Sequence, residues 1–91
     1  MGEESSFYAY IKGDSIIKLG RQAEYEFICN AYVKDNIHFS INDGSLAKVL
    51  RTFEDTCVVR ANAENHLGKV VLSAEYNGVI YTKDIKIVPL W

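Results

Sequence analysis

Short runs of alternating apolar and polar residues are the feature of this sequence that most restricts its fold. The clearest run spans residues 22–30, in which every second position is apolar (Ala23, Tyr25, Phe27 and Cys29). Successive side chains of a β-strand point to opposite faces of a sheet. This period of two therefore predicts a strand with one buried face and one face in solvent.

The rest of the chain divides into similar runs separated by turn residues. Strands are predicted over residues 7–12, 16–19, 37–41, 46–50, 56–61, 70–76 and 79–88. Twenty Val, Ile and Thr residues and eleven aromatic residues make up about a third of the chain, a composition that suits half-buried sheet surfaces. Seven or eight short strands spaced by roughly 8–12 residues indicate an all-β sandwich or a small barrel.

The most specific turn signal is Asn77-Gly78, which lies between two alternating runs. Both residue types tolerate positive φ, as the two central positions of a type I′ turn require. We therefore expect a two-residue hairpin that joins the last two strands. The alternation also predicts a core made by apolar side chains of several strands (Phe27, Phe39, Val59, Leu72 and Ile85, together with Tyr25 and Tyr76).

Length and charge limit the classes of protein to be considered. The 91 residues allow one domain, and the apolar fraction of 48% is enough for a core. Residues 1–6 are acidic and polar and are expected to be a disordered or vector-derived N-terminus without the features of a signal peptide. With a net charge of −2, no basic block and no apolar run near 18 residues, the sequence predicts neither nucleic-acid binding nor membrane insertion.

Residues with chemical potential are few and scattered. His38 alternates away from the predicted core, and His66 lies in a polar loop. Neither accompanies a nucleophile motif, so we expect surface histidines and no enzyme activity. The segment 42–44 (Asn-Asp-Gly) lacks the acidic spacing of a calcium loop and is predicted to be a plain turn. No metal ion and no cofactor are expected.

The two cysteines, Cys29 and Cys57, lie on the apolar faces of their predicted strands. Buried thiols and a disulfide are both compatible with these positions. A metal site would need further ligands at set spacing, which the sequence does not provide.

Several aromatic residues fall outside the clear core pattern. Phe7, Tyr8 and Tyr10 crowd one short strand, so at least one of these rings must point outward if the strand is regular. Exposed aromatic rings either pack at a sheet edge or contact a sugar or a protein partner. The candidate contact residues are Tyr8, Tyr10, Tyr32 and Trp91.

Four segments resemble bacterial immunoglobulin-like domains of group 2. They are residues 13–20 with Tyr25 in the following strand, 39–42, 46–49 and 68–74. Phe39 stands where that family more often has Trp, and residues 52–57 replace its Gly-x-Val-x-Ala segment. Residues 56–59 and 83–91 are similar to a narrower group of Ig-like modules, found in virion proteins of phages and prophages of Gram-positive bacteria.

This resemblance implies that residues 7–91 form an Ig-like antiparallel β-sandwich of about seven to eight short strands. In that order the strands of Cys29 and Cys57 are neighbours in one sheet. A virion protein assembles in a reducing cytoplasm, where disulfides are rare, so the resemblance favours two thiols. The Cys…Trp…Cys arrangement of extracellular Ig domains is absent, since the only Trp is Trp91.

The function that the resemblance implies is structural or adhesive. The chain is expected to be a monomeric module of a phage or prophage tail or head protein. Its partners would be other subunits of the assembly, or a glycan or protein of the host surface. The alternative is one module of a tandem array in a bacterial cell-surface adhesin.

Overall fold

The computed structural model describes residues 7–30, 37–62 and 67–90. All elements in this part of the chain are strands: β1 (Ala9–Lys12), β2 (Ile16–Lys18), β3 (Gln22–Cys29), β4 (Ile37–Ile41), β5 (Ala47–Phe53), β6 (Thr56–Ala61), β7 (Gly68–Tyr76) and β8 (Val79–Val88). The predicted all-β class is confirmed. The described residues contain no helix that could cross a membrane. The expectations for residues 1–6, Tyr32, His66 and Trp91 lie outside the described part.

The strands form two sheets of four. The order in the first sheet is β1-β3-β6-β5, and the order in the second is β2-β8-β7-β4. All neighbours are antiparallel except β2 and β8, which run parallel. The chain therefore changes sheet between β1 and β2, and each of these two strands is an edge strand of its sheet.

The buried apolar side chains of the described residues form one core cluster, to which both sheets contribute. The five side chains expected to form it are each at most 6% exposed: Phe27, Phe39, Val59, Leu72 and Ile85. They come from both sheets and belong to one cluster. Tyr25 is fully buried, as predicted. Tyr76 is only partly buried, because it is the last residue of β7 and lies at the end of the core.

Strand β5 differs most from its prediction. It begins at Ala47 and continues to Phe53, well beyond the expected end at residue 50. The register changes from Val49 opposite Val59 to Arg51 opposite Val58, so Leu50 is an extra residue in a β-bulge. A bulge shifts the alternation by one position. This shift is why the sequence pattern stopped at residue 50.

The change of sheet after β1 depends on a close contact between Gly13 and Tyr25. A Cβ built at Gly13 would lie 2.6 Å from Tyr25 Cε2, closer than real Cβ atoms approach a neighbour. The Tyr25 hydroxyl donates a hydrogen bond to the Asp14 carbonyl at 2.7 Å. Together, the missing side chain and this hydrogen bond fix the path from β1 to β2.

The hairpin predicted at Asn77-Gly78 is confirmed. Tyr76 and Val79 form the last pair of β7 and β8, and Asn77 and Gly78 have φ values of 55° and 81°. Positive φ at both central residues is the signature of the type I′ turn.

Replacing Gly78 by Val tests this turn. The change should lower the free energy of unfolding by about 1–2 kcal/mol, because a side chain strains the left-handed backbone. Gly44→Val is the matched control. A Cβ at either glycine meets no atom within 4 Å, but only Gly78 has a positive φ. Equal effects of the two changes in denaturant unfolding would contradict the turn assignment.

The core assignment predicts a large cost for Phe39→Ala. Removing this buried ring should lower the free energy of unfolding by ~3–5 kcal/mol, through lost burial and a residual cavity. Phe53→Ala serves as the control, because that ring is 71% exposed. Chemical denaturation measures both. A loss below about 1 kcal/mol for Phe39→Ala would show that the ring is not part of the core.

Candidate functional site

An apolar groove opens at the end of the molecule that carries the β7–β8 hairpin. We call it the aromatic groove and define it by its described lining residues: Phe7, Tyr76, Asn77, Val79 and Tyr81. It encloses about 360 Å³. Phe7 is 45% exposed and Val79 is 50% exposed, so the groove offers apolar surface to solvent.

Four aromatic rings pack together in and beneath this groove. Phe27, only 2% exposed, forms the base. Its ring centroid lies 5.4 Å from that of Tyr81 and 6.0 Å from that of Tyr76. Phe7 covers both tyrosines from the rim, at 6.0 Å from Tyr76 and 6.5 Å from Tyr81. Tilted and edge-to-face contacts at these distances are favourable, so the four rings form an ordered surface.

The strands explain why these rings meet. Tyr76 and Val79 flank the tight turn, and Tyr81 is opposite Ala74, whose small side chain leaves space beside the ring. Phe7 precedes β1, and the backbone next to it is tied to the end of β3. There Tyr8 N donates to Asn30 Oδ1 at 3.0 Å, and Asn30 N donates to the Tyr8 carbonyl at 3.4 Å.

The predicted contact residues lie on a different surface from the groove. Tyr8 and Tyr10 are 58% and 50% exposed. Their side chains lie on the same, outward face of the chain around β1. The side chains of Ala9 and Ile11, which alternate with them, face the core. Tyr32 and Trp91 lie outside the described residues. A contact role for Tyr8 and Tyr10 stays a prediction.

Sequence reasoning did not identify the aromatic groove. Tyr76 was expected in the core, and Tyr81 and Val79 were assigned only to a strand. Their position in the sequence could have indicated the groove. Tyr76 and Tyr81 lie close to the Asn77-Gly78 turn, at the strand ends, where inward-facing side chains are least covered. Phe7 joins them only through the pairing of β1 with β3, which no local pattern reveals.

His38 and residues 42–44, considered from the sequence for acid–base and calcium chemistry, both lie in the described part of the chain. No group of three or more His, Cys, Asp or Glu side chains there could hold a metal ion. His38 is exposed on β4, opposite Glu75 of β7. Asp43 Oδ1 accepts hydrogen bonds from Ser45 N at 3.0 Å and Ser45 Oγ at 2.6 Å, which is the turn chemistry predicted for residues 42–44.

Both cysteines are thiols, and their strands are neighbours in one sheet, as expected. Cys57 is opposite Tyr25, whereas Cys29 is opposite Ala9 at the end of β3. Cys57 is buried, but Cys29 is only partly buried, which corrects the expectation that both would be shielded. Burial, with a smaller contribution from the Glu24 carboxylate, raises the pKa of the Cys57 thiol to about 12 from its ordinary value of 9.0.

Comparisons with known proteins do not identify a relative. No family model matches the chain, and no curated protein and no solved structure matches it significantly.

The two thiols should differ in reactivity. In the native protein a thiol reagent should modify Cys29 faster than Cys57, because attack needs an accessible thiolate. Unfolding without reductant should release two thiols per chain. Reductant should leave the melting temperature unchanged. A fall in melting temperature on reduction, with no titratable thiol in the unfolded chain, would indicate a disulfide instead.

Alkaline pH should destabilise the domain through ionisation of Cys57. The pKa of Cys57 is raised in the folded state, so the unfolded thiol ionises first, and stability is lost as pH rises from 9.0 towards 12. Burial also raises the pKa of Tyr25, which acts in the same direction. Cys57→Ala should reduce this pH dependence of the melting temperature, whereas Cys29→Ala should preserve it. If the melting temperature depended on pH equally in both variants, Cys57 would not be the source of the alkaline destabilisation.

Proposed function

We propose that this chain is a non-enzymatic, Ig-like β-sandwich module of a phage or prophage virion protein. It holds a neighbouring subunit or a component of the host surface. The partner binds at the end of the domain that carries the aromatic groove.

The order of the strands supports the Ig-like part of this proposal. Ig domains of the constant type place strands A, B, E and D in one sheet and C, F and G in the other. Numbered along the present chain, β1-β3-β6-β5 corresponds to the first set, and β4, β7 and β8 correspond to the second. Strand β2 is then an additional edge strand formed where the first strand changes sheet.

The aromatic groove is the observation that favours a binding role. Interfaces derive most of their affinity from a few aromatic and apolar anchors in ordered pockets. Phe7, Tyr76 and Tyr81 supply such rings, and their mutual contacts keep them ordered without a partner. Little conformational entropy is then lost on association.

The virion part of the proposal relies on the resemblance of residues 56–59 and 83–91 to Ig-like modules of phage proteins. The two thiols are consistent with assembly in a reducing cytoplasm.

Locating the protein in its host tests the proposal. Prophage induction, followed by density-gradient purification of particles and immunoblotting with an antibody against this domain, should place the domain in the particle fraction. Mass spectrometry of the reactive band would identify the neighbouring segments of the parent protein. Recovery of the domain in the cell-wall fraction, with particles that lack it, would favour a surface adhesin and overturn the virion assignment.

A further inference from the structure

We propose that the edge of β8 beside the aromatic groove binds an extended segment of a partner polypeptide as an added β-strand. This inference rests on the proposed function as a binding module and names the form that the partner takes. It is carried by the direction of the backbone hydrogen bonds along β8 and by the space next to them.

Backbone groups of the even-numbered residues of β8 point towards β2. Lys86 N donates to the Ser15 carbonyl at 2.7 Å, and the Val88 carbonyl accepts from Leu19 N at 3.0 Å. In a sheet, residues two apart along a strand direct their N–H and C=O groups to the same neighbour. The corresponding groups of Ile80, Thr82 and Asp84 therefore point the same way.

Strand β2 does not extend far enough to meet these groups. Its first paired residue, Ile16, is opposite Lys86. Among the described residues, no strand pairs with Val79–Asp84 on that side, and β8 there pairs only with β7. We call the backbone groups of Ile80, Thr82 and Asp84 the free edge of β8.

The aromatic groove adjoins the free edge, because the groove residues Val79 and Tyr81 alternate along β8 with Ile80 and Thr82. Val79 and Tyr81 belong both to the groove lining and to this stretch of β8. Phe7 forms the opposite wall, since β1 lies in the other sheet. On the outward face of the same stretch, Ile80 is 61% exposed. A strand that bonded to the free edge would cover these apolar side chains.

The hydrogen-bond pattern determines the class of occupant. The free edge offers a donor and an acceptor at every second residue, a repeat of about 6.6 Å. An extended polypeptide matches this repeat with its own backbone, as in other cases of strand addition to a sheet edge. Neither a glycan nor a lipid carries alternating amide donors and acceptors at that spacing.

The neighbouring side chains restrict the sequence of the occupant. Every second side chain of the added strand would face the groove near Tyr81, which favours an apolar residue. Lys83 follows on the same side of β8 and is partly buried. An acidic residue two positions along the added strand would neutralise its charge. The outward positions would lie beside Ile80 and Thr82, where β-branched residues pack well.

Amide hydrogen exchange on the isolated domain tests the first half of the inference. The amides of Ile80, Thr82 and Asp84 should exchange rapidly, while those of Tyr81 and Lys83, which face β7, should be protected. Equal protection of the two sets would show that the edge is already occupied, and it would overturn the inference.

The second half needs a ligand. The probe is a capped hexapeptide with the sequence Thr-Val-Thr-Val-Thr-Glu. At millimolar concentration it should slow exchange at Ile80 and Thr82 and shift the ring resonances of Tyr76 and Tyr81. Thr82→Pro removes one edge donor that β7 does not use, and it should weaken binding by about tenfold. Thr82→Ala is the matched control: it keeps the backbone donor and loses only side-chain packing, so it should weaken binding much less than Thr82→Pro does.

Absence of any change with the peptide, or equal binding by Thr82→Pro and Thr82→Ala, would overturn strand addition. That failure is separable from failure of the proposed function. If the domain is found in particles but binds no peptide, the virion proposal stands and only strand addition is rejected. A domain found only in the cell wall loses the virion role whatever its edge binds.

Discussion

The contact between Tyr25 and the chain at Gly13-Asp14 determines how the two sheets are joined. The fully buried ring occupies the space that a side chain at residue 13 would need, and its hydroxyl holds the Asp14 carbonyl. Burial raises the pKa of Tyr25, so the phenol stays protonated and remains a donor. Because this contact directs the chain to β2 in the second sheet, it also sets the position at which β2 begins to cover β8.

Local pattern predicted the elements whose signals are local. The alternation around Tyr25 and the Asn77-Gly78 pair were sufficient for a strand and a hairpin, because strand faces and turn dihedrals depend on neighbouring residues. The bulge at Leu50 could not be predicted, since it is defined by the register with β6. The aromatic groove was missed for a similar reason: Phe7 reaches Tyr76 and Tyr81 only through tertiary pairing. The sequence did suggest that Tyr8 and Tyr10 are exposed. It could not show that they lie on a different surface from the aromatic groove.

The edges of the two sheets are not equally protected against pairing. Strand β5 carries the bulge at Leu50 together with Lys48 and Arg51, features that discourage association with another strand. Strands β1 and β2 are only four and three residues long. The ten-residue strand β8 is longer than the neighbour that covers it, and its uncovered part is apolar at Val79 and Ile80. The uncovered backbone of β8 thus lies next to the exposed ring of Phe7 in the aromatic groove.

The parallel pairing of β2 with β8 has a mechanical consequence. One strand leads towards the N-terminus and the other towards the C-terminus, so tension between the two ends pulls these neighbours in opposite directions along their axes. Their hydrogen bonds, which include Lys86 N to Ser15 O and Leu19 N to Val88 O, would then carry the load together. A hairpin pulled open at its free ends loses its bonds one after another. The short strand β2 would therefore act as a shear clamp whenever the two ends of the domain are pulled apart.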